Sequence, residues 1–332
     1  MLKKFIDICA AEKLFDGVDK VLIAVSGGAD SLALAELMIN SRQRFRLEIF
    51  IAHFNHNLRG QDSIDDADFV KNFAERRGIN FVGGQGDVKT FAAENKISIE
   101  TAARTLRYEF LSDARQQLNC NAIVTAHHAN DQAETILFRF LRGATTAGLS
   151  AMQARTLSAD YGLILRPLLS FRKVELENFC REKNLSPRVD TTNFQTDATR
   201  NKIRLELIPT LEKFNPALVE TLCRFGKISA DEADFIDAQA EEIFPVVVKK
   251  SDVHNWIIVR EEFLKLHTAI QRAVIKKFLV KATGSIKDFG FVHIEGIRKV
   301  LLNGLTGVEL TKKLRADLKQ GKLYITNFLR KG

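Results

Sequence analysis

Three polar clusters hold the residue types that chemistry needs. The first is "SGGADS", Ser26 to Ser31, between the β-branched run "VLIAV" and the apolar-periodic "SLALAELMI". Gly27 and Gly28 permit backbone at positive φ and clear side chains from a ligand's path. N–H groups at the following helix start, from Ala29 onward, can then face phosphate oxygens. Ser26 and Ser31 add hydroxyl donors. Asp30 puts a carboxylate into an anion site, which implies a cation such as Mg²⁺ between the two. A capped helix start also suits Asp30, but it needs neither two glycines nor two serines.

The second and third clusters are "HFNHNLRG" (53–60) and "TAHHANDQAET" (125–135). Asp131 and Glu134 lie three apart and share one helix face. D-x-x-E at a helix start also makes a capping box, and spacing alone favours the cap. Its place in the third cluster, just past a strand, favours a site. His53, His56, His127 and His128 do not have zinc-ligand spacing, and a hard phosphate site wants oxygen ligands. They suit the wall of a nucleotide pocket or the caps of strand ends. Arg107 in "ARTLRYEF" and Arg200 in "TRNKIR" are candidate anion-binding side chains. Each also reads as an ordinary helix arginine.

Elements that alternate in type must position these clusters. Strand-like "VLIAV" (21–25) leads into a helix from Ser31. "RLEIFIAHF" (46–54) is strand-like, 63–78 helical, and "INFVG" a short strand. A helix follows over 98–119, capped by Ser98, then a strand over 121–128 and a helix over 131–143. Strands alternating with helices predict an α/β fold, a doubly wound parallel sheet covered on both faces. Ligands bind at the carboxyl ends of such strands, where all three clusters lie. Further on, 172–185 and 215–244 read as helices, 186–204 as polar and turn-rich. Pro245 opens a mixed region with a helix near 268–281 and strand-like "KLYITN" (322–327). The expected domains are 1–210, a helical region 211–245, and a small α+β domain over 246–332.

Net charge is +8 over 332 residues. Residues 246–332 carry 18 Lys+Arg against 7 Asp+Glu, which leaves the rest of the chain slightly acidic. A basic carboxy-terminal third implies a polyanion partner, most simply nucleic acid. Lys276, Lys277, Lys312, Lys313 and Arg315 are candidates, although a solvated lysine-rich surface has the same composition. Cys9, Cys120, Cys180 and Cys223 are scattered without C-x-x-C, so neither a zinc site nor a disulfide framework is expected. Asp7 interrupts any signal-peptide core, and no apolar run spans a bilayer. A cytoplasmic protein with no membrane partner is expected.

Other nucleotide signatures fail. No G-x-x-x-x-G-K-[ST] is present, and no G-x-G-x-x-G follows a strand. "SGGADS" instead resembles the pyrophosphate loop of the ATP pyrophosphatase superfamily. Together with "AHFNHNLRG", "ETAARTLRYEFL", "TAHHANDQAETILFRFLRG", "LRPLL" and "TTNFQTDATRNKIRLELIPTLEKFNP", it resembles tRNA(Ile)-lysidine synthetases in order from about residue 19 to 216. The carboxy-terminal region resembles theirs more weakly.

The resemblance implies a Rossmann-like domain of the adenine nucleotide α-hydrolase type. It implies ligation of lysine to C2 of the first anticodon cytidine of a CAU-anticodon tRNA(Ile), with ATP split to AMP and pyrophosphate. That change converts charging from methionine to isoleucine. By this likeness Ser26, Gly27, Gly28, Ala29, Asp30, Ser31, His53 and His127 hold ATP. Asp30 and Glu134 hold Mg²⁺, and Asp30, Arg107, Asp131, Glu134 and Arg200 carry the chemistry. Glu134 is a candidate base for the lysine amine, and Arg59 approaches ATP or tRNA. Tail lysines and arginines contact the tRNA backbone. Oligomeric state is not fixed, and a homodimer is compatible. The short stretch after residue 245 implies a compact version of the family. Two departures stand out: Asn130 where an acid is expected before Asp131, and Asn57 where glycine is usual. A tRNA thiolase is the nearest rival, but it would need paired cysteines.

Overall fold

The structure is a computed structural model describing residues 1–58, 60–188, 198–251 and 255–327. Arg59 lies outside the described residues, as does most of the polar stretch before Arg200. The chain divides into two compact units, Met1–Ile228 and Ser229–Gly332.

In unit 1, α1 (Leu2–Ala11) precedes β1 (Lys20–Ala24), α2 (Ala29–Phe45), β2 (Glu48–Asn55), α3 (Gln61–Glu75) and β3 (Asn80–Gln85). Next come α4 (Val88–Asn95), α5 (Ile99–Gln117), β4 (Ala122–Val124), α6 (Ala129–Leu141) and α7 (Thr146–Leu149). The unit continues through β5 (Arg155–Ser158), β6 (Gly162–Leu165), α8 (Lys173–Glu182), α9 (Ala198–Lys202) and α10 (Ile208–Glu212), with a π-helical turn at Ile203–Leu207. The division falls within α11 (Leu218–Val247).

The six strands run in the order β3-β2-β1-β4-β6-β5, parallel except for the antiparallel edge strand β5. Consecutive strand residues enter opposite cores, as the two-residue period requires. Val21, Ile23, Ile49 and Ile51 join one core, and Leu22, Phe50 and Ala52 the other. Both faces are therefore dry, the state expected of a parallel sheet under helices. Order reverses at β1 and β4, so the loops after these strands open onto one crevice.

The β5–β6 hairpin is not anticipated from sequence. Its strands have four residues each, too few for a two-residue period to stand out. Pro245 does not open a new region but sits inside the last turns of α11. Phe244 and Val247 on either side of it are buried in the unit 2 core, which holds the turn despite the missing N–H.

Gly226 of α11 shows why backbone closeness matters here. A Cβ on Gly226 would fall 2.8 Å from both Ala151 Cβ and Ile136 Cδ1, and 3.2 Å from Ala151 N. Gly226→Ala is expected to destabilise unit 1. Overpacking costs about 1–3 kcal/mol, more than the roughly 1 kcal/mol gained in helix propensity. Urea unfolding followed by circular dichroism checks the sign.

Unit 2 is an antiparallel sheet ordered β7 (Val248–Ser251), β8 (Asn255–Val259), β11 (Lys322–Asn327), β10 (Leu314–Lys319) and β9 (Gly307–Glu309). Helices α12 (Arg260–Leu264), α13 (Thr268–Thr283) and α14 (Phe291–Asn303) complete it. Ile258, Phe278, Ile297 and Leu323 are fully buried in its core. Among the described residues no helix is long and apolar enough to cross a membrane.

Candidate active site

Only Gly27 of the two loop glycines takes a positive φ, +93°. Gly28 is extended (φ −73°) and is the N-cap of α2. Gly27 uses the conformational freedom of glycine, and Gly28 only its missing side chain, which leaves the helix start bare. Ser31 Oγ donates to Gly28 O at 2.9 Å and accepts from Ser26 N at 3.2 Å, which closes the loop on itself. Ser26 Oγ lies 3.2 Å from Ser31 Oγ. Asp30 stands in the first turn of α2. One of its carboxylate oxygens, Oδ1, is buried without a hydrogen-bond partner. An orphaned buried carboxylate oxygen is costly unless something positive meets it.

Ser26, Gly28, Asp30 and Ser31 line a cavity of about 600 Å³. His53, Arg107, His127, Asp131 and Glu134 line the same cavity. The loops after β1, β2 and β4 thus converge on one space. Gly27 and Ala29 support the loop from outside this lining. Arg200 is not on the lining either: it donates to Glu100 Oε1 at 3.0 Å and lies over the Phe138 ring.

Arg204, four residues on, reaches the acids. Its Nε and Nη2 donate to Glu134 Oε1 and Oε2 at 2.6 and 2.8 Å, and Asp131 Oδ1 is 3.8 Å away. Sequence reasoning missed Arg204. The signal in the sequence was its place one turn beyond Arg200; the structure puts it on a π-helical turn, of a kind that recurs at functional sites.

The helix-start reading of Asp131 holds in a different pairing. Asp131 Oδ2 accepts from His128 N at 2.9 Å, and His128 Nδ1 accepts from Asp131 N at 3.4 Å. The box is therefore His128–Asp131 rather than Asp131–Glu134. His128 Nε2 also approaches Asp30 Oδ2 at 3.5 Å, so one imidazole bridges the two acids. Asn130 Oδ1 accepts from Lys173 N at 3.0 Å, which uses its neutral oxygen to cap α8. Asn57 adopts φ +51°, the left-handed conformation that asparagine tolerates, and its N–H donates to Asn55 Oδ1. Arg188 and Asp66, paired at 2.7 Å, also line the cavity and were not anticipated.

Residues 3–211 match the PP-loop domain family. The chain belongs to that family. It is 35% identical over 298 residues to the tRNA(Ile)-lysidine synthase of Clostridium perfringens, covering 90% of this chain and 62% of the relative. It is 34% identical over 310 residues to the enzyme of that name from Clostridium tetani, covering 92% and 65%. The chain thus spans a little under two thirds of these relatives' length. Among solved structures, the U34-tRNA thiolase NcsA from Methanococcus maripaludis superposes with a TM-score of 0.57. Identity there is 16%, with 68% of this chain and 79% of the thiolase covered, a likeness of fold alone.

The donor set of this PP-loop site fits a hard cation. Among the described residues no three His, Cys, Asp or Glu side chains form a metal cage. Mg²⁺ needs none, since it binds through one or two carboxylates plus phosphate oxygens. Asp30 Oδ1 is the open acceptor, whereas both oxygens of Glu134 are taken by Arg204.

Charge sets the two neighbouring histidines apart. Burial opposes the charged form of His128, but its bond to Asp30 and the charges of Asp131 and Asp30 outweigh this and raise its pKa. His127 is pushed down to about 3, first by burial and then by Arg166, Arg107 and Arg104. Its Nδ1 lies 2.9 Å from Thr125 Oγ1. Between about pH 3 and 6.5 the unfolded chain binds a proton at His127 that the native protein refuses. Stability therefore falls as pH drops through that window. His128 works with the opposite sign, adding stability below its unfolded value and losing it as pH rises through the raised one. His127→Asn is expected to flatten the acid limb, read as a smaller loss of urea midpoint between about pH 7 and 5.

Burial also lowers the pKa of Arg107. Among the described residues no carboxylate pairs with Arg107, which lines the cavity with its guanidinium 5.4 Å from the Tyr108 ring centroid. Of the tail residues, Lys277 pairs with Glu241 and Arg315 with Asp317, while Lys276, Lys312 and Lys313 are exposed.

Proposed function

We propose that this protein ligates lysine to a CAU-anticodon tRNA(Ile) at C2 of the first anticodon cytidine, splitting ATP to AMP and pyrophosphate. The observation that carries the reading is the convergence of the PP loop with Asp131, Glu134 and Arg204 on one cavity. Likeness to named lysidine synthases along nine-tenths of the chain supports it.

ATP phosphates lie against Ser26, Ser31 and the first-turn N–H groups of α2. Asp30 would hold Mg²⁺, which when bound would offset charge on the phosphates. His53 and His127 wall the nucleotide. The cytidine C2 oxygen attacks the α-phosphorus and pyrophosphate leaves. Lysine's ε-amine then attacks C2, and AMP departs with that oxygen. A free amine is protonated up to about pH 10.4, so a carboxylate must take its proton. Asp131 and Glu134 hold the ammonium and receive it. Arg204 holds Glu134 until the substrate's cation replaces it. Arg107 meets developing negative charge, and Arg200 works from the cavity's rim. The basic third of the chain holds tRNA phosphates, and the reaction belongs in the cytoplasm.

The test uses labelled lysine, ATP, Mg²⁺ and tRNA(Ile) transcript. Label is expected in the CAU transcript and absent from one with a GAU anticodon. Label in neither, with the transcript intact and ATP bound, would overturn the reading.

A further inference from the structure

The face of α6 that carries Asp131 and Glu134 does not end at the cavity. Phe138 follows Glu134 by four residues and Leu141 by seven, so both continue the same stripe outward. The Phe138 ring holds two guanidinium groups: Arg142 Cζ lies 4.9 Å from its centroid and Arg200 Cζ 5.4 Å. Arg200 is steadied further by Glu100 at 3.0 Å and keeps a 42% exposed side chain. Leu141 is 60% exposed. Leu205, which lines the cavity, is 58% exposed on the π-helical turn that packs against α6.

Leu141 and Leu205 thus stand bare on the same element pair that fixes the two guanidinium groups. Guanidinium planes over an aromatic ring, next to apolar side chains, are the surface on which unstacked nucleobases rest. The cations also match a phosphodiester chain. We infer that this ledge is a docking surface for single-stranded RNA, on which the bases flanking the modified nucleotide stack as that nucleotide enters the cavity. The inference rests on the tRNA reading above, and it adds the path by which the loop reaches the acids.

The test compares the whole protein with Phe138→Leu and Arg142→Gln. The probe is an anticodon-arm hairpin carrying 2-aminopurine beside the target cytidine. A fully paired duplex of equal length is the control. Wild type is expected to bind the hairpin and quench the probe by stacking. Phe138→Leu and Arg142→Gln together are expected to weaken hairpin binding about tenfold and lose most of the quench. Duplex binding and ATP affinity should change less than about twofold, while the urea midpoint falls modestly because Phe138 also packs against the cluster of Ala129, Ala133 and Ile203. Unchanged hairpin affinity and quench in the variants would overturn the ledge, as would equal losses on hairpin and duplex. Hairpin binding and quench in wild type without lysine transfer would instead sink the tRNA-ligation reading and leave the ledge standing.

Discussion

Glu134→Gln is expected to lower lysine-dependent AMP formation by about 10²–10⁴-fold, the range for losing a positioned proton acceptor. Glu134 is buried and both of its oxygens are held by Arg204 at 2.6 and 2.8 Å. Glutamine keeps the shape but removes the charge that would attract an ammonium or accept its proton. It also leaves the Arg204 guanidinium, 39% exposed and with Asp131 3.8 Å away, facing a neutral amide, so the loss of stability should be small. ATP affinity should change little, since the PP loop is untouched. The Arg204→Gln variant separates the two roles. If Arg204 occupies the place of the substrate ammonium, removing it should lower the KM for lysine even as kcat falls. A rise in KM with unchanged kcat would place Arg204 among the lysine-binding groups. Steady-state AMP assays over a lysine series give both values.

Asp30→Asn is expected to abolish turnover, by about 10²–10³-fold, with little change in folding. Asp30 carries the one buried carboxylate oxygen of the loop that lacks a partner, and its other oxygen is 3.5 Å from His128. Folding makes scant use of Oδ1, so the apo variant should stay within about 1 kcal/mol of wild type in urea. Phosphate binding with a cation depends on its charge. The sign of failure is specific: the Mg²⁺ concentration needed for residual activity should rise. Residual activity with an unchanged Mg²⁺ dependence would remove Asp30 from the cation's shell.

The loop was legible because its chemistry is local. "SGGADS" places two glycines, two hydroxyls and an acid within six residues, between a strand and a helix that periodicity also announces. The central strands were legible because both faces are buried and the runs are β-branched. What was hidden depends on distant partners. Arg204 meets Glu134 across 70 residues, and Arg188 meets Asp66 across 122. No spacing rule joins such pairs. Asn130 looked like a missing acid; its amide oxygen caps α8, a contact visible only once Lys173 is brought beside it. Pro245 looked like a boundary because proline usually ends a helix, yet the unit 2 core holds the turn around it.

On the proposed function the cavity holds an ATP whose cleavage to AMP is coupled to joining lysine to RNA. The most direct measurement counts AMP formed against lysine attached to the CAU transcript, for wild type and Asp30→Ala together. One AMP per lysine in wild type, with both lost in the variant, is the predicted result. AMP formed without lysine on the RNA, or lysine attached equally by Asp30→Ala, would contradict it.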